Sequence, residues 1–210
     1  STRQTIELGA TGDAVALRGW RGRLPAHAQL WRVEALQPDG RRAARTMGAV
    51  RRDTTTGFGT SDLLVAARVL PREGSTGARW NDFNMAPSVG RFRRGAPIAL
   101  LWETYDLGAR EGASRYRVAV TLEKLRREGP IGVAARVVSG GGDIVGRTAS
   151  GRGKLSIAYD RTVAPLPVTV DYLTLELGEA PPGRYRLTVE VTDQVRRATA
   201  RRQRTIEIEP

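Results

Sequence analysis

The sequence predicts an all-β protein made of two tandem antiparallel β-sandwiches of immunoglobulin or fibronectin kind, and three observations carry that prediction. Short apolar–polar alternations recur roughly every 8–12 residues, the spacing of strands in antiparallel sandwiches. Turn-forming residues stand between them, drawn from 24 glycines and 11 prolines. No apolar period of 3.6 residues runs for the length of a helix.

Taken in order, Thr5–Leu8 and Ala14–Arg18 are short strand candidates separated by Gly9 and Gly12, and Trp20–Pro25 reads as a loop. Gln29–Leu36 puts Trp31, Val33 and Ala35 on one face and stops at Pro38-Asp39-Gly40, a strong turn signal, so Thr46–Arg51 reads as its return strand. Ser61–Leu70 is apolar on both faces, as a central strand covered on both sides would be; a short buried helix is the alternative. Pro71–Gly95 reads as one long irregular connection containing Trp80, and loops of that length in compact domains are functional or serve as linkers. The domain boundary is placed near its end, with a first sandwich over residues 1–92 and a second over 93–210.

In the second part Ala96–Tyr105, Tyr116–Glu123, Gly132–Ser139, Lys154–Tyr159, Val168–Val170, Tyr172–Leu177 and Thr205–Glu209 are strands, and Gly140-Gly141-Gly142-Asp143 is a hairpin turn. The clearest pattern lies in Leu177–Asp193. Tyr185, Leu187, Val189 and Val191 point one way and Arg184, Arg186, Thr188, Glu190 and Thr192 the other, a half-buried strand. Pro181 and Pro182 cannot donate to a ladder, so the corner lies before this strand. Pro182, Gly183 and Tyr185 match a tyrosine corner, in which a tyrosine hydroxyl at a strand start bonds upstream backbone.

The 210 residues carry a net charge of +12. Only Lys124 and Lys154 are lysines, so 34 − 2 = 32 of the basic residues are arginine, the residue suited to bidentate contact with carboxylates and phosphates. A GC-rich genome would raise Arg, Ala and Gly together and is the plain alternative. There is no cysteine, which excludes disulfides and thiolate chemistry. No apolar run approaches the length of a membrane span, so the folded part reads as soluble and able to sit against a membrane. An extracytoplasmic (periplasmic) location peripheral to a membrane is the expectation, carried by a family resemblance rather than by composition.

Catalytic apparatus is not expected. His27 is the only histidine, no G-x-S-x-G elbow is present, and zinc would need three or four ligands. Neither metal nor cofactor is therefore expected. Glu103, Asp106, Asp82 and Asp160 could converge as a carboxylate pair, but no spacing singles out two of them. Asp193 follows a strand as a sandwich-loop calcium ligand would, without a D-x-D-x-D series to support it. The suggestive groups are arginines: Arg91, Arg93 and Arg94; Arg126 and Arg127; and Arg196, Arg197, Arg201, Arg202 and Arg204, placed in the connection of the final hairpin. Together with Trp20 and Trp80 in loops, Arg91, Arg93, Arg94, Arg196, Arg197, Arg201 and Arg202 are the expected partner-docking residues. Aromatics make up 6% and stand mostly on inward faces, so acidic proteins or anionic lipid headgroups, rather than nucleic acid, are the expected partners.

Two segments carry a family resemblance. Ser61–Leu70, followed by Met85-Ala86-Pro87, Phe92, Arg94-Gly95 and Ile98–Leu107, and Pro182–Leu187 leading to Val191-Thr192-Asp193, together resemble the C-terminal β-rich region of bacterial GWxTD-domain proteins. The resemblance covers most of residues 61–210; at Gly19-Trp20 the motif itself is missing. It implies an exported protein of GC-rich, Gemmatimonas-like bacteria and no catalytic residues. The expected function is a non-catalytic subunit that docks on a larger membrane-associated assembly, one instance being an accessory subunit of a photosynthetic reaction-centre and antenna complex. The competing class is a carbohydrate-binding type of sandwich module.

Overall fold

The computed structural model describes residues 30–36, 43–49, 57–125, 136–139, 147–151, 154–177 and 180–210. Thr5–Leu8, Ala14–Arg18, Trp20, His27, Arg126, Arg127 and the Gly140–Asp143 turn lie outside them. Residues 57–210 belong to one compact unit, and the described residues before them belong to another.

The smaller unit is a hairpin of β1 (Leu30–Leu36) and β2 (Ala43–Ala49), antiparallel with Leu36 opposite Ala43. Its return strand starts three residues earlier than Thr46, at Ala43, paired with Leu36. Glu34 and Arg45 stand opposite each other, with Nε 2.8 Å from Oε1. Both are exposed, so the pair contributes only about 0.2–1 kcal/mol.

Among its described residues the larger unit is all β apart from one 3-10 turn, Trp80–Asp82. It begins with β3 (Gly59–Thr60), β4 (Leu64–Pro71), β5 (Phe83–Pro87), β6 (Arg91–Arg93), β7 (Ile98–Tyr105), β8 (Ala109–Arg110) and β9 (Ala113–Lys124). It continues with β10 (Arg136–Ser139), β11 (Arg147–Gly151), β12 (Lys154–Val163), β13 (Val168–Glu176), β14 (Gly183–Asp193) and β15 (Ala198–Glu209). A six-stranded sheet runs β10-β13-β7-β4-β5, with β3 also on β7. A seven-stranded sheet runs β11-β12-β9-β14-β15-β6, with β8 on β9.

Each sheet turns one apolar face to the other. Ile98, Leu100, Trp102, Leu173 and Leu175 of the first meet Val118, Val120, Leu122, Ile157, Leu187 and Ile206 of the second in one core. Burying such a side chain contributes about 1.5–3 kcal/mol. The six-stranded sheet is covered on its outer face as well, where Ala66, Val69, Phe83, Ala99 and Leu101 form a separate cluster. Phe83 meets Tyr172 edge-on at 5.0 Å. Both faces of β7 are therefore covered, which explains its unbroken apolar run.

Several expectations change. The boundary after residue 92 falls inside β6, and strands from both sides of it share each sheet: β4 and β5 join β7, and β6 runs parallel to the end of β15. A strand buried on both faces needs neighbours on both sides, and β4 supplies one. The Ser61–Leu70 strand is interior to its sheet as expected, yet Leu64 and Leu70 are exposed, and its register with β5 shifts between Ala66 and Arg68. The long irregular connection contains β5 and β6. Val168–Val170 and Tyr172–Leu177 are one strand, continuous through Asp171. Most consequentially, pairing of β14 with β15 runs on to Asp193 opposite Ala198, so the final connection is only residues 194–197, and Arg201, Arg202 and Arg204 lie on a strand.

The tyrosine corner is present as geometry. Tyr185, fully buried, donates its hydroxyl to Pro181 O at 2.5 Å. Gly183 sits at φ +142°, in the region side-chain-bearing residues avoid, and a Cβ there would meet the Lys124 side chain at 3.0 Å. Tyr185→Phe should leave the fold intact and cost roughly 1 kcal/mol in urea-induced unfolding, with an unchanged denaturant slope.

Candidate functional site

Three buried carboxylates, Glu103, Asp171 and Asp193, organise the polar chemistry of the larger unit. Glu103 lies on the outer-facing side of β7 and is only 2% exposed. Arg79 reaches it through Nε to Oε1 at 2.9 Å and Nη2 to Oε2 at 3.2 Å. The Trp80 N–H donates to Oε1 at 2.9 Å and the Tyr105 hydroxyl to Oε2 at 2.8 Å. Burial alone would raise the Glu103 carboxyl, but the Arg79, Trp80 and Tyr105 bonds outweigh it and hold it below the usual carboxylate range. Burial, together with the bond to Glu103, pushes Tyr105 up to about 12.

These contacts fasten the 72–82 loop to the sheet, and the loop is itself internally bonded. Asp82 Oδ2 accepts the N–H of Ala78 at 2.9 Å and the Thr76 hydroxyl at 3.1 Å, while the Asp82 carbonyl accepts Arg72 N–H at 2.7 Å. Trp80 is thus half-buried and packed on the outer apolar cluster. Between loop and sheet lies an open groove of about 270 Å³. It is lined by Ser61, Asp62, Leu64, Arg79, Trp80, Glu103 and Tyr105.

Asp171 faces the interior, fully buried, from β13. It accepts the Tyr116 hydroxyl at 3.0 and 3.1 Å and the Arg161 guanidinium, both from the opposite sheet. Burial raises its carboxyl, with the charge of Arg161 and the Tyr116 bond pulling against it. Beside it Thr60, Thr104 and Thr169 stand in one row across three strands. Their hydroxyls, with Trp102 Nε1 and Ser114 Oγ, are buried and make no hydrogen bond with a described residue.

Asp193 ends β14, also fully buried. Its Oδ1 accepts the N–H of Val195 at 2.8 Å and of Arg196 at 3.0 Å, and its Oδ2 accepts Gly108 N–H at 2.6 Å. A Cβ at Gly108 would lie 2.8 Å from Arg196 Cγ, so glycine is what lets the β7–β8 connection come this close. Asp193 is therefore a turn brace, its oxygens used by backbone, rather than a cation ligand. Among the described residues no group of three His, Cys, Asp or Glu could hold a metal ion.

The expected docking residues separate. Trp80 does not project as a free loop residue but lies over the sheet. Arg91 faces Glu207 and Glu209 at 3.6 and 3.9 Å on the neighbouring strand. Arg93 and Arg94 are exposed at and just after the end of β6. Arg196 and Arg197 occupy the β14–β15 turn, with Arg197 at φ +55°. Arg201 faces outward opposite Glu190, while Arg202 and Arg204 stand opposite Val189 and Leu187 on the inward-facing row. Glu103 as an anchor and Asp171 as an interior acid were missed. Their signal was parity: Asp171 shares the inward row of Leu173 and Leu175, and Glu103 the covered outer row of Ala99 and Leu101, and a carboxylate on either apolar row must be paired.

Glu103 carries a pH dependence. Its folded value lies below the unfolded one, so its contribution is complete above the ordinary carboxylate range and is lost as pH falls through the lowered folded value. Glu103→Gln should release the 72–82 loop at neutral pH, read as faster amide exchange of Ala78–Trp80, with β14 unaffected. Inside the core, Thr104→Val removes a hydroxyl with no partner and should leave stability unchanged or raised. Tyr116→Phe, which strips a donor from a buried carboxylate, should cost about 1.5–3 kcal/mol. Urea unfolding of both variants separates the two outcomes.

No family model matches the chain, and no curated protein matches it. Among solved structures it is similar to AvmM, which catalyses macrocyclization in alchivemycin A biosynthesis, at 10% identity and TM-score 0.39 over 59% of this chain and 85% of that one. It is also similar to a family 123 glycoside hydrolase from Clostridium perfringens, at 8% identity and TM-score 0.36, over 71% of this chain and 27% of that one. A third is BcpA, the major pilin subunit of Bacillus cereus, at 11% identity and TM-score 0.31, over 86% of this chain and 48% of that one. The chain thus spans about a quarter and about half the length of the last two.

Proposed function

We propose that this chain is a non-catalytic docking subunit that attaches to an acidic protein surface of a larger assembly through its β14–β15 hairpin. The observation that carries this reading is the hairpin's charge and rigidity. Residues 196–204 hold five arginines and no acidic residue. The turn that starts them is braced by Asp193 from two directions. Over residues 198–206, β14 is the sole ladder partner of β15 among the described residues. Arg197, Arg201 and Arg204 form no ion pair with any described residue, so their charge is available to a partner. Arginine edges also keep strands from pairing with copies of themselves, and that protective role is compatible with docking.

The non-catalytic part of the reading is supported by how the buried acids are used. Glu103, Asp171 and Asp193 all have their oxygens engaged by protein donors. The immunoglobulin-like character of the larger unit belongs to the same proposal and is supported by the tyrosine corner. The likeness of residues 61–210 to exported GWxTD-domain proteins favours a site outside the cytoplasm, peripheral to a membrane.

Attachment of this kind weakens with salt, because exposed charges are screened over about 10 Å at 0.1 M. A pull-down from native membranes should recover a defined acidic partner at low salt and release it at high salt. The triple variant Arg197→Glu, Arg201→Glu, Arg204→Glu should keep its thermal midpoint and lose the partner. Equal retention by the triple variant sinks the proposal. Capture of protein-free phosphatidylserine vesicles in place of a protein would move it to the lipid surface.

A further inference from the structure

We propose that the groove beside Trp80 is a binding site for a neutral saccharide, independent of the arginine hairpin. The groove is small and open on one side, below the ~300–1,000 Å³ of pockets that enclose a drug-sized molecule. It therefore suits a ring lying against a wall rather than a ligand swallowed whole. Two aromatic residues, Trp80 and Tyr105, line the groove with Leu64, and an aromatic ring face covers the C–H face of a pyranose well.

The polar groups narrow the ligand further. Glu103 is saturated by Arg79, Trp80 and Tyr105, so it holds the lining in place and has no lone pair directed at a ligand. Two groups remain for contact. Asp62 is exposed and can only accept hydrogen bonds when ionised; Arg79, half-exposed, can only donate. An acceptor and a donor flanking an aromatic face match the hydroxyls of a sugar, which do both. An anion would meet the Asp62 and Glu103 carboxylates, a cation would meet Arg79, and a hydrocarbon would strip water from Asp62 and Arg79 without replacing it.

The site is also preorganised. Asp82 fixes the loop internally and Glu103 fixes it to the sheet, so little ordering remains to oppose binding. A loop held by this many bonds over a face that is already apolar is more than a cover, since Leu64 is left 37% exposed within the groove rather than roofed over.

Isothermal titration with soluble β-1,4-glucan, xylan, mannan and chitin hexamers tests this. At least one should bind saturably to the wild-type chain. Trp80→Ala and Asp62→Ala should each weaken that binding about tenfold or more, equivalent to about 1.4 kcal/mol. Asp62 is exposed, so its variant stays folded even if Trp80→Ala loosens the loop. Arg197→Glu should bind as wild type, which separates this site from the hairpin. No binding by any of the four hexamers, binding unchanged in Asp62→Ala, or saturable binding of choline in their place would each overturn the proposal.

Discussion

β7 is covered by the main core on one face and by the Trp80 loop and its apolar cluster on the other, and a carboxylate on such a strand is tolerable only if donors converge on it. Glu103 is that carboxylate. Its need for partners draws in Arg79, the Trp80 backbone and Tyr105, and so sets where the long loop lies. The groove, its aromatic lining and the half-buried state of Trp80 all follow from one buried charge.

The same logic runs through the other two buried acids at different depths. Asp171 is answered across the core by a tyrosine and an arginine, linking the sheets by polar contact at an end where threonine hydroxyls stand without partners. Asp193 is answered by backbone, and in exchange fixes the turn that begins the arginine run. In a chain with charge +12, three acids hold interior places among the described residues. Much of the arginine excess is left outside, where it sets association rather than fold.

How much was legible varies by element. The Leu177–Asp193 strand, its proline corner and Tyr185 could be read directly, because a period of two and a rigid corner are local properties. The β15 strand was read only over Thr205–Glu209. Its first half carries alanine and arginine on the inward row, which hides the alternation, and only pairing with β14 reveals it. β6, three residues long between Gly90 and Arg94-Gly95, has too little sequence to announce a strand. Trp80 read as an exposed loop residue because the contact that folds it back is to Glu103, 23 residues away.

By itself the sequence determined an all-β chain, the places of most strands, the corner at Tyr185 and a strongly arginine-rich surface, since each of these is written in spacing or composition. Which strands share a sheet, and hence where the chain divides, was decided by tertiary structure alone. Ladder partners are chosen by long-range burial, and β4 joins β7 across the expected boundary because β7 needs cover on every side. The same holds for the sites. The chain shows Arg79, Trp80, Glu103 and Tyr105 as four unrelated residues, and only the need to neutralise a buried carboxylate brings them to one groove.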